Sequence, residues 1–215
     1  MRVLTWNLFH GRSKPPAGRP LLREFATALA GWTWDVALLQ EMPPWWLGPL
    51  SEAAGADGRG VYTSRNTLLP ARRALAMWIP DVVKSEGGGA NAILVRGRVK
   101  AHRWVELTRE PERRVAHGVA LEDGRWVANL HASLRPPERV RADAAATLAN
   151  ARAWAAGAHL VVGGDFNWRR PELPGLQRVA SHWVDHIFAP DGAHDADVLD
   201  AGPLSDHRPV AVTVE

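Results

Sequence analysis

A chain of 215 residues, 46% of them hydrophobic and 11 of them tryptophan, has enough apolar surface for one large core or two small ones, which excludes intrinsic disorder. The absence of cysteine excludes disulfide scaffolds, thiolate nucleophiles and zinc–thiolate sites. The formal charge of +3 comes from 26 basic and 23 acidic residues, with Lys14, Lys84 and Lys100 the only lysines; arginine on this scale suits forked phosphate contacts better than diffuse polyanion binding.

Taken in order, Val3, Thr5 and Asn7 alternate with Leu4, Trp6 and Leu8, the pattern of a strand. Residues 10–19 read as a loop carrying Arg12, Lys14 and Arg19. A helix opened by Pro20 buries Leu22, Phe25, Ala26 and Leu29 and ends near Gly31. Residues 35–41 form a nearly continuous apolar strand, the kind covered on both faces, and Pro43-Pro44 starts a second helix through Trp45, Trp46 and Leu50. Strands are expected at 60–64, 75–79, 90–96, 99–107, 113–121 and 125–131, with Asp123-Gly124 as a hairpin turn. Pro136-Pro137 begins the longest helix, which turns Val140, Ala144, Leu148 and Ala151 inward and stops at Gly157. Residues 159–162 make another buried strand, and residues 209–214 close the sheet. Many strands and few helices predict an α/β fold of two packed sheets with helices outside. Nothing resembles a linker or repeat, so one domain over 1–215 is expected. A strand at the N-terminus in place of an apolar leader, with no transmembrane-length segment, predicts a cytoplasmic location.

Chemistry is carried by polar residues that interrupt these apolar runs. Glu41 follows Leu38-Leu39-Gln40 and Asp165 follows Val161-Val162-Gly163-Gly164, and ligands gather at strand ends in α/β sheets. Asn129 and His131 are two apart, as are Asp165 and Asn167, so on extended backbone each pair lines one side of a cleft. Magnesium takes oxygen donors and few carboxylates; Glu41 and Asp206 fit, with Asn7 as a neutral oxygen. Histidines such as His207 and His131 are able to titrate near neutrality, Asp185 is expected to orient His207, and Asn167 is a natural donor to a phosphate oxygen.

The set Thr5-Trp6-Asn7, Leu39-Gln40-Glu41, Asn129-Leu130-His131, Gly164-Asp165-Phe166-Asn167, Val184-Asp185-His186-Ile187 and Ser205-Asp206-His207-Arg208-Pro209 resembles the endonuclease/exonuclease/phosphatase, or deoxyribonuclease-I-like, superfamily. The resemblance spans residues 5 to 209. It implies a four-layer α/β sandwich, two packed mixed β-sheets flanked by helices, and phosphoester hydrolysis dependent on Mg2+ or Mn2+. By matching position it implies a metal site of Glu41, Asn7 and Asp206, a supported imidazole in Asp185–His207, and Asp165 with Asn167 at the nucleophile and phosphate. His131 matches a leaving-group-side histidine and Arg114 a phosphate-binding arginine. Either His207 or Asp165 activates the water, and one or two metals are both compatible. The abasic-site repair branch carries a Tyr-bearing segment where this chain has Asn129-Leu130-His131, which argues against a repair role.

The activity expected is therefore that of a metal-dependent phosphodiesterase, foremost a nuclease acting on DNA or RNA. The alternatives are a phosphomonoesterase or phospholipid/inositol-phosphate esterase on the same core, and a catalytically silent nucleic-acid-binding module. Trp168, Arg169 and Arg170, directly after Asn167, are expected at the cleft rim, where with Arg12, Lys14 and Arg19 they would grip a nucleic-acid strand by stacking and phosphate contact.

Overall fold

The computed structural model describes residues 1–63, 66, 68–79, 89–190 and 192–215. In chain order, β1 (Arg2–Asn7), α1 (Leu22–Gly31), β2 (Val36–Met42), α2 (Leu47–Ala54), β3 (Asp57–Tyr62), α3 (Leu69–Trp78) and β4 (Ala90–Val95) make up the first half. There follow β5 (Val99–Thr108), β6 (Arg114–Leu121), β7 (Trp126–His131), α4 (Pro137–Ala155), β8 (Leu160–Asp165), β9 (Gln177–His182), β10 (Asp185–Ala189), β11 (Ala193–Val198) and β12 (Val210–Val214).

The strands form two six-stranded sheets, ordered β11-β12-β1-β2-β4-β3 and β5-β6-β7-β8-β10-β9. Both are mixed, and among their named pairings each has one parallel pair: β1 with β2, bridged by α1, and β7 with β8, bridged by α4. A parallel pair needs a long crossover, and the amphipathic stripes read at Leu22–Leu29 and Val140–Ala151 supply it. Val3, Leu38, Ile93, Val127, Val161, Ile187 and Val212 meet between the sheets. Leu4, Trp6, Phe25, Leu29 and Leu39 fill the space under α1 and α2, while Leu130, Val140, Leu148, Val162 and Phe188 fill that under α4. The result is the expected four-layer α/β sandwich.

Two boundaries differ from the sequence reading. Residues 75–79 are not a strand: Leu75 to Trp78 belong to helix α3, begun by Pro70 in its first turn. The strand expected at 60–64 runs from Asp57 to Tyr62, and residue 64 lies outside the described residues.

The sheet architecture positions the polar residues. Asn7, His131 and Asp165 are the last residues of β1, β7 and β8, so both parallel pairs point their C-terminal ends at one edge of the sandwich. Period-two alternation puts Asn7 with Val3, His131 with Val127 and Asp165 with Val161 on the inner faces. Asp185 opens β10 and pairs in register with Asp165. Asp206 and His207 sit in the loop that enters β12, beside β1.

Candidate active site

One cavity of about 660 Å3 opens at this edge, and Glu41, His131, Asp165, Asn167, Asp206 and His207 all line it. Glu41 reaches it by a route that alternation does not foresee. Period two would place Glu41 with Leu39, under α1, because Val36 and Leu38 face the other sheet. Instead the pairing of β2 with β4 shifts register between Leu39 and Met42, and Glu41 adopts φ 48°. The bulge redirects its side chain into the cavity. Phe9 (φ 47°), His10 (φ 57°) and Asn167 (φ 49°) line the same wall. Left-handed conformations cost about 1–2 kcal/mol each outside glycine, so backbone strain is concentrated here. Asn167 has therefore left the extended conformation expected from its spacing, yet it still faces the cavity.

Asp165 is the buried centre of the array. Asn7 Nδ2 donates to its Oδ2 at 2.9 Å, and the Asn167 backbone N–H donates to its Oδ1 at 2.8 Å. Burial raises the Asp165 carboxyl above its ordinary value, outweighing the nearby His207 imidazole and both donors. Asn7 Oδ1 accepts from the Phe9 N–H at 2.9 Å, and Asn167 Nδ2 donates to the Ala132 carbonyl at 2.9 Å, so both amides are clamped. His131 Nε2 lies 3.6 Å from Asp165 Oδ2 and 3.8 Å from Glu41 Oε1; His207 Nε2 lies 4.0 Å from Asp165 Oδ2 and 3.9 Å from Asp206 Oδ1. These gaps are too long for direct hydrogen bonds and the right width for one shared oxygen, from water or from a phosphate.

His207 Nδ1 pairs with Asp185 Oδ2 at 2.7 Å, the orientation expected of that pair. Burial opposes charge on the imidazole, but Asp185, Asp165 and Asp206 prevail and raise its pKa to about 9. Burial likewise raises Asp185 to about 7 despite the His207 hydrogen bond. The loop bearing His207 is sewn to β1: Ser205 Oγ donates to the Asn7 carbonyl at 2.7 Å, and Trp6 Nε1 donates to the His207 carbonyl at 3.1 Å.

Burial and the neighbouring Arg114 hold His131 well below the ordinary histidine value, despite the pull of Glu41, so its ring is neutral. Burial alone would raise the Glu41 carboxyl, but hydrogen bonds and charge from His10, with His131 and Asn7 adding to them, hold it well below the usual carboxylate range. His10 Nε2 stands 3.0 Å from Glu41 Oε2. No motif marks His10 in the sequence; the signal available was only its place three residues after Asn7 and next to Gly11, where the chain reverses.

Arginines also line the cavity. Arg114 lines the cavity and pairs with Glu112, while its buried Nε has no hydrogen-bond partner among the described residues. Arg12, with its guanidinium 4.1 Å above the Phe9 ring, has a buried and unpartnered Nε as well. Trp168 and Arg169 do not line the cavity. Trp168 packs against the core under α4, its carbonyl accepting from His186 Nε2 at 2.8 Å, and Arg169 is exposed. The aromatic plate expected at the rim is thus folded inward.

Asp165, Asp185 and His207 offer ligand atoms within 4.8 Å of one another, a cluster able to hold a metal ion. Because Nδ1 of His207 is engaged by Asp185, this trio reads more naturally as an acid-supported imidazole facing a second acid. Glu41 and Asp206 are the partly exposed carboxylates of the wall, and their oxygens suit a hard divalent cation that keeps several waters. Among the described residues, no helix is long and apolar enough to cross a membrane.

Residues 4–207 match the Endonuclease/Exonuclease/phosphatase family. No curated protein shows significant sequence similarity to the chain. Among solved structures, an endonuclease/exonuclease/phosphatase from Beutenbergia cavernae superposes with TM-score 0.74 at 18% identity, over 99% of this chain and 70% of that one. A mannosyl-6-phosphatase from Bacteroides thetaiotaomicron gives 0.69 at 16%, over 99% and 98%. TDP2 from Caenorhabditis elegans gives 0.65 at 16%, over 99% and 73%. At these identities the likeness is one of fold.

Proposed function

The chain belongs to the endonuclease/exonuclease/phosphatase family of phosphoesterases, and from that premise we propose that it is a divalent-metal-dependent phosphodiester hydrolase. The observation that carries the reading is the cavity wall itself. Arg12 and Arg114 line it together with Glu41, His131, Asp165, Asp206 and His207, whose carboxylates and imidazoles are spaced for one intervening oxygen. Guanidinium groups in such a wall suit phosphate, whose oxygens accept paired N–H donors.

Glu41 and Asp206, with Asn7 beside them, would hold Mg2+ or Mn2+, which neutralises phosphate charge as a Lewis acid. Arg12 and Arg114 bind non-bridging oxygens, and Asn167 supplies a further amide donor. Asp165, fixed by Asn7 and Asn167, takes the proton of the attacking water. His207, held by Asp185, presents Nε2 to the charge developing on the phosphoryl oxygens, and neutral His131 offers an N–H hydrogen bond to the leaving oxygen.

The nucleic-acid reading keeps Arg12 in the wall and loses the support of Trp168 and Arg169. A phosphomonoester or lipid phosphoester is the second reading, favoured by the apolar surface next to the cavity and by the mannosyl-6-phosphatase fold neighbour of nearly equal length. The test is a panel of plasmid DNA, single-stranded DNA, RNA, bis-p-nitrophenyl phosphate, a sugar phosphate and a phospholipid, with and without magnesium. Magnesium-dependent turnover of at least one phosphoester is expected, abolished in Glu41→Ala without loss of fold. Near-normal activity of that variant at saturating metal would overturn the assignment.

A further inference from the structure

Thr63 and Gly89 both line the catalytic cavity, and the Thr63 N–H donates to the Gly89 carbonyl at 2.9 Å. Between them the chain makes an excursion that carries α3, a helix with no buried residue. Leu69, Arg73 and Met77 recur every four residues on it and, with Trp78, form one wall of a groove of about 640 Å3. Trp45 and Tyr62 are prominent on the other wall. The groove lies near the catalytic cavity: Tyr62 lines one and Thr63, the next residue, lines the other. Trp45 follows four residues after Glu41.

Apolar exposure is high on and around α3. Trp78 is 88% exposed and Leu68 is 78% exposed, with Tyr62, Leu75, Met77 and Ile79 also open to solvent. Isolated exposed hydrophobic residues are ordinary on protein surfaces, whereas Tyr62, Met77 and Trp78 are exposed where they line a concave groove, the setting of a binding surface. Among the described residues Arg73 is the one charged residue of the groove's lining, and the helix carries Arg72 and Arg73 with no acid. Apolar walls with an arginine next to a phosphate site match a molecule that is hydrocarbon at one end and anionic at the other.

We propose that the α3 groove binds the hydrocarbon portion of an amphiphilic phosphoester whose phosphate occupies the neighbouring cavity. This rests on the phosphoesterase reading above and assigns its substrate class.

The test is a series of p-nitrophenyl alkyl phosphodiesters, methyl to octyl, hydrolysed with magnesium. For the wild type, kcat/KM is expected to rise by up to about fourfold per added methylene over the first few carbons. Met77→Ser with Trp78→Ser is expected to flatten the series and leave the methyl ester rate unchanged; both side chains are exposed, so the fold is spared. Calorimetric titration with monomeric dodecylphosphocholine gives a readout independent of turnover, with saturable binding expected in the wild type and lost in the double variant. Comparing a short-chain phospholipid below its micelle concentration with the same headgroup in vesicles separates the sources. Preference for vesicles, lost in Leu68→Ser, identifies a bilayer lipid, and preference for the dispersed form identifies a soluble amphiphile. A flat wild-type series, or one left steep by the double variant, overturns the groove assignment. Absence of hydrolysis with dodecylphosphocholine binding intact overturns the phosphoesterase reading and spares the groove.

Discussion

A β-carbon built at Gly164 would lie 1.9 Å from the Leu130 carbonyl oxygen, and φ at that residue is 136°. No side chain fits there, because β7 passes directly against β8 just before both strands release their site residues, His131 and Asp165. Gly164→Ala should therefore cost at least about 3 kcal/mol in urea unfolding and abolish turnover. Stability within about 0.5 kcal/mol of wild type would contradict the close approach. Several side chains of the cavity were legible in the sequence as isolated polar residues closing apolar strands: Glu41, His131 and Asp165. His10 was not, because its contact with Glu41 depends on two local reversals of the backbone, at His10 and at Glu41, that leave no periodic trace. Trp168 was legible as an aromatic residue following a site motif but not in its direction, which is set by the hydrogen bond from His186 and the packing under α4.

At the scale of single elements, β2 shows how a strand is bent to serve a site. Its alternation assigns Val36, Leu38 and Gln40 to the inner face, and only the bulge and the left-handed φ of 48° bring Glu41 to the cavity. Glu41→Ala and Glu41→Gly both remove the carboxylate, but only alanine retains a β-carbon in that conformation. The glycine variant should thus be the more stable by about 1 kcal/mol in denaturant unfolding, with both inactive. The opposite order would mean that the backbone at Glu41 is extended. Helix α3 illustrates the reverse case, a misread period. Leu75, Met77 and Ile79 alternate as in a strand, yet Ala76 and Trp78 between them are apolar as well, so the alternation carried no facial information; Pro70 in the first turn was the helix signal. The long helices and the buried strands were readable because one period dominated each of them.

Across the whole molecule, a buried polar ladder ties the two sheets together. His102 Nε2 meets His117 Nδ1 at 3.2 Å, His117 Nε2 meets Asn129 Nδ2 at 3.3 Å, Gln40 Nε2 donates to Asn129 Oδ1 at 2.8 Å, and the same amide reaches Thr5 Oγ1 at 3.1 Å. Burial, with His102 adding to it, holds His117 well below the ordinary histidine value, so it stays neutral in the fold while its unfolded counterpart takes up a proton near pH 6.5. The stability this contributes is complete above that pH and is lost as pH falls below it. Relative to His117→Gln, which does not titrate, the wild type should lose about 1.4 kcal/mol per pH unit between roughly pH 6.5 and 5, read from urea unfolding. Parallel pH profiles for the two proteins would rule out a neutral buried His117. Asn129, singled out in the sequence beside His131, belongs to this ladder and not to the cavity wall.

The sewing of Ser205 to Asn7 spans 198 positions, and Asn7 in turn holds Asp165, which belongs to the other sheet. Under the proposed function, neither half of the chain owns a complete set of reacting groups, so no fragment, and no intermediate with only one sheet formed, would have the means to turn over substrate. Turnover thereby doubles as a gauge of assembly: the first catalytic event during refolding dates the moment at which the two halves have met.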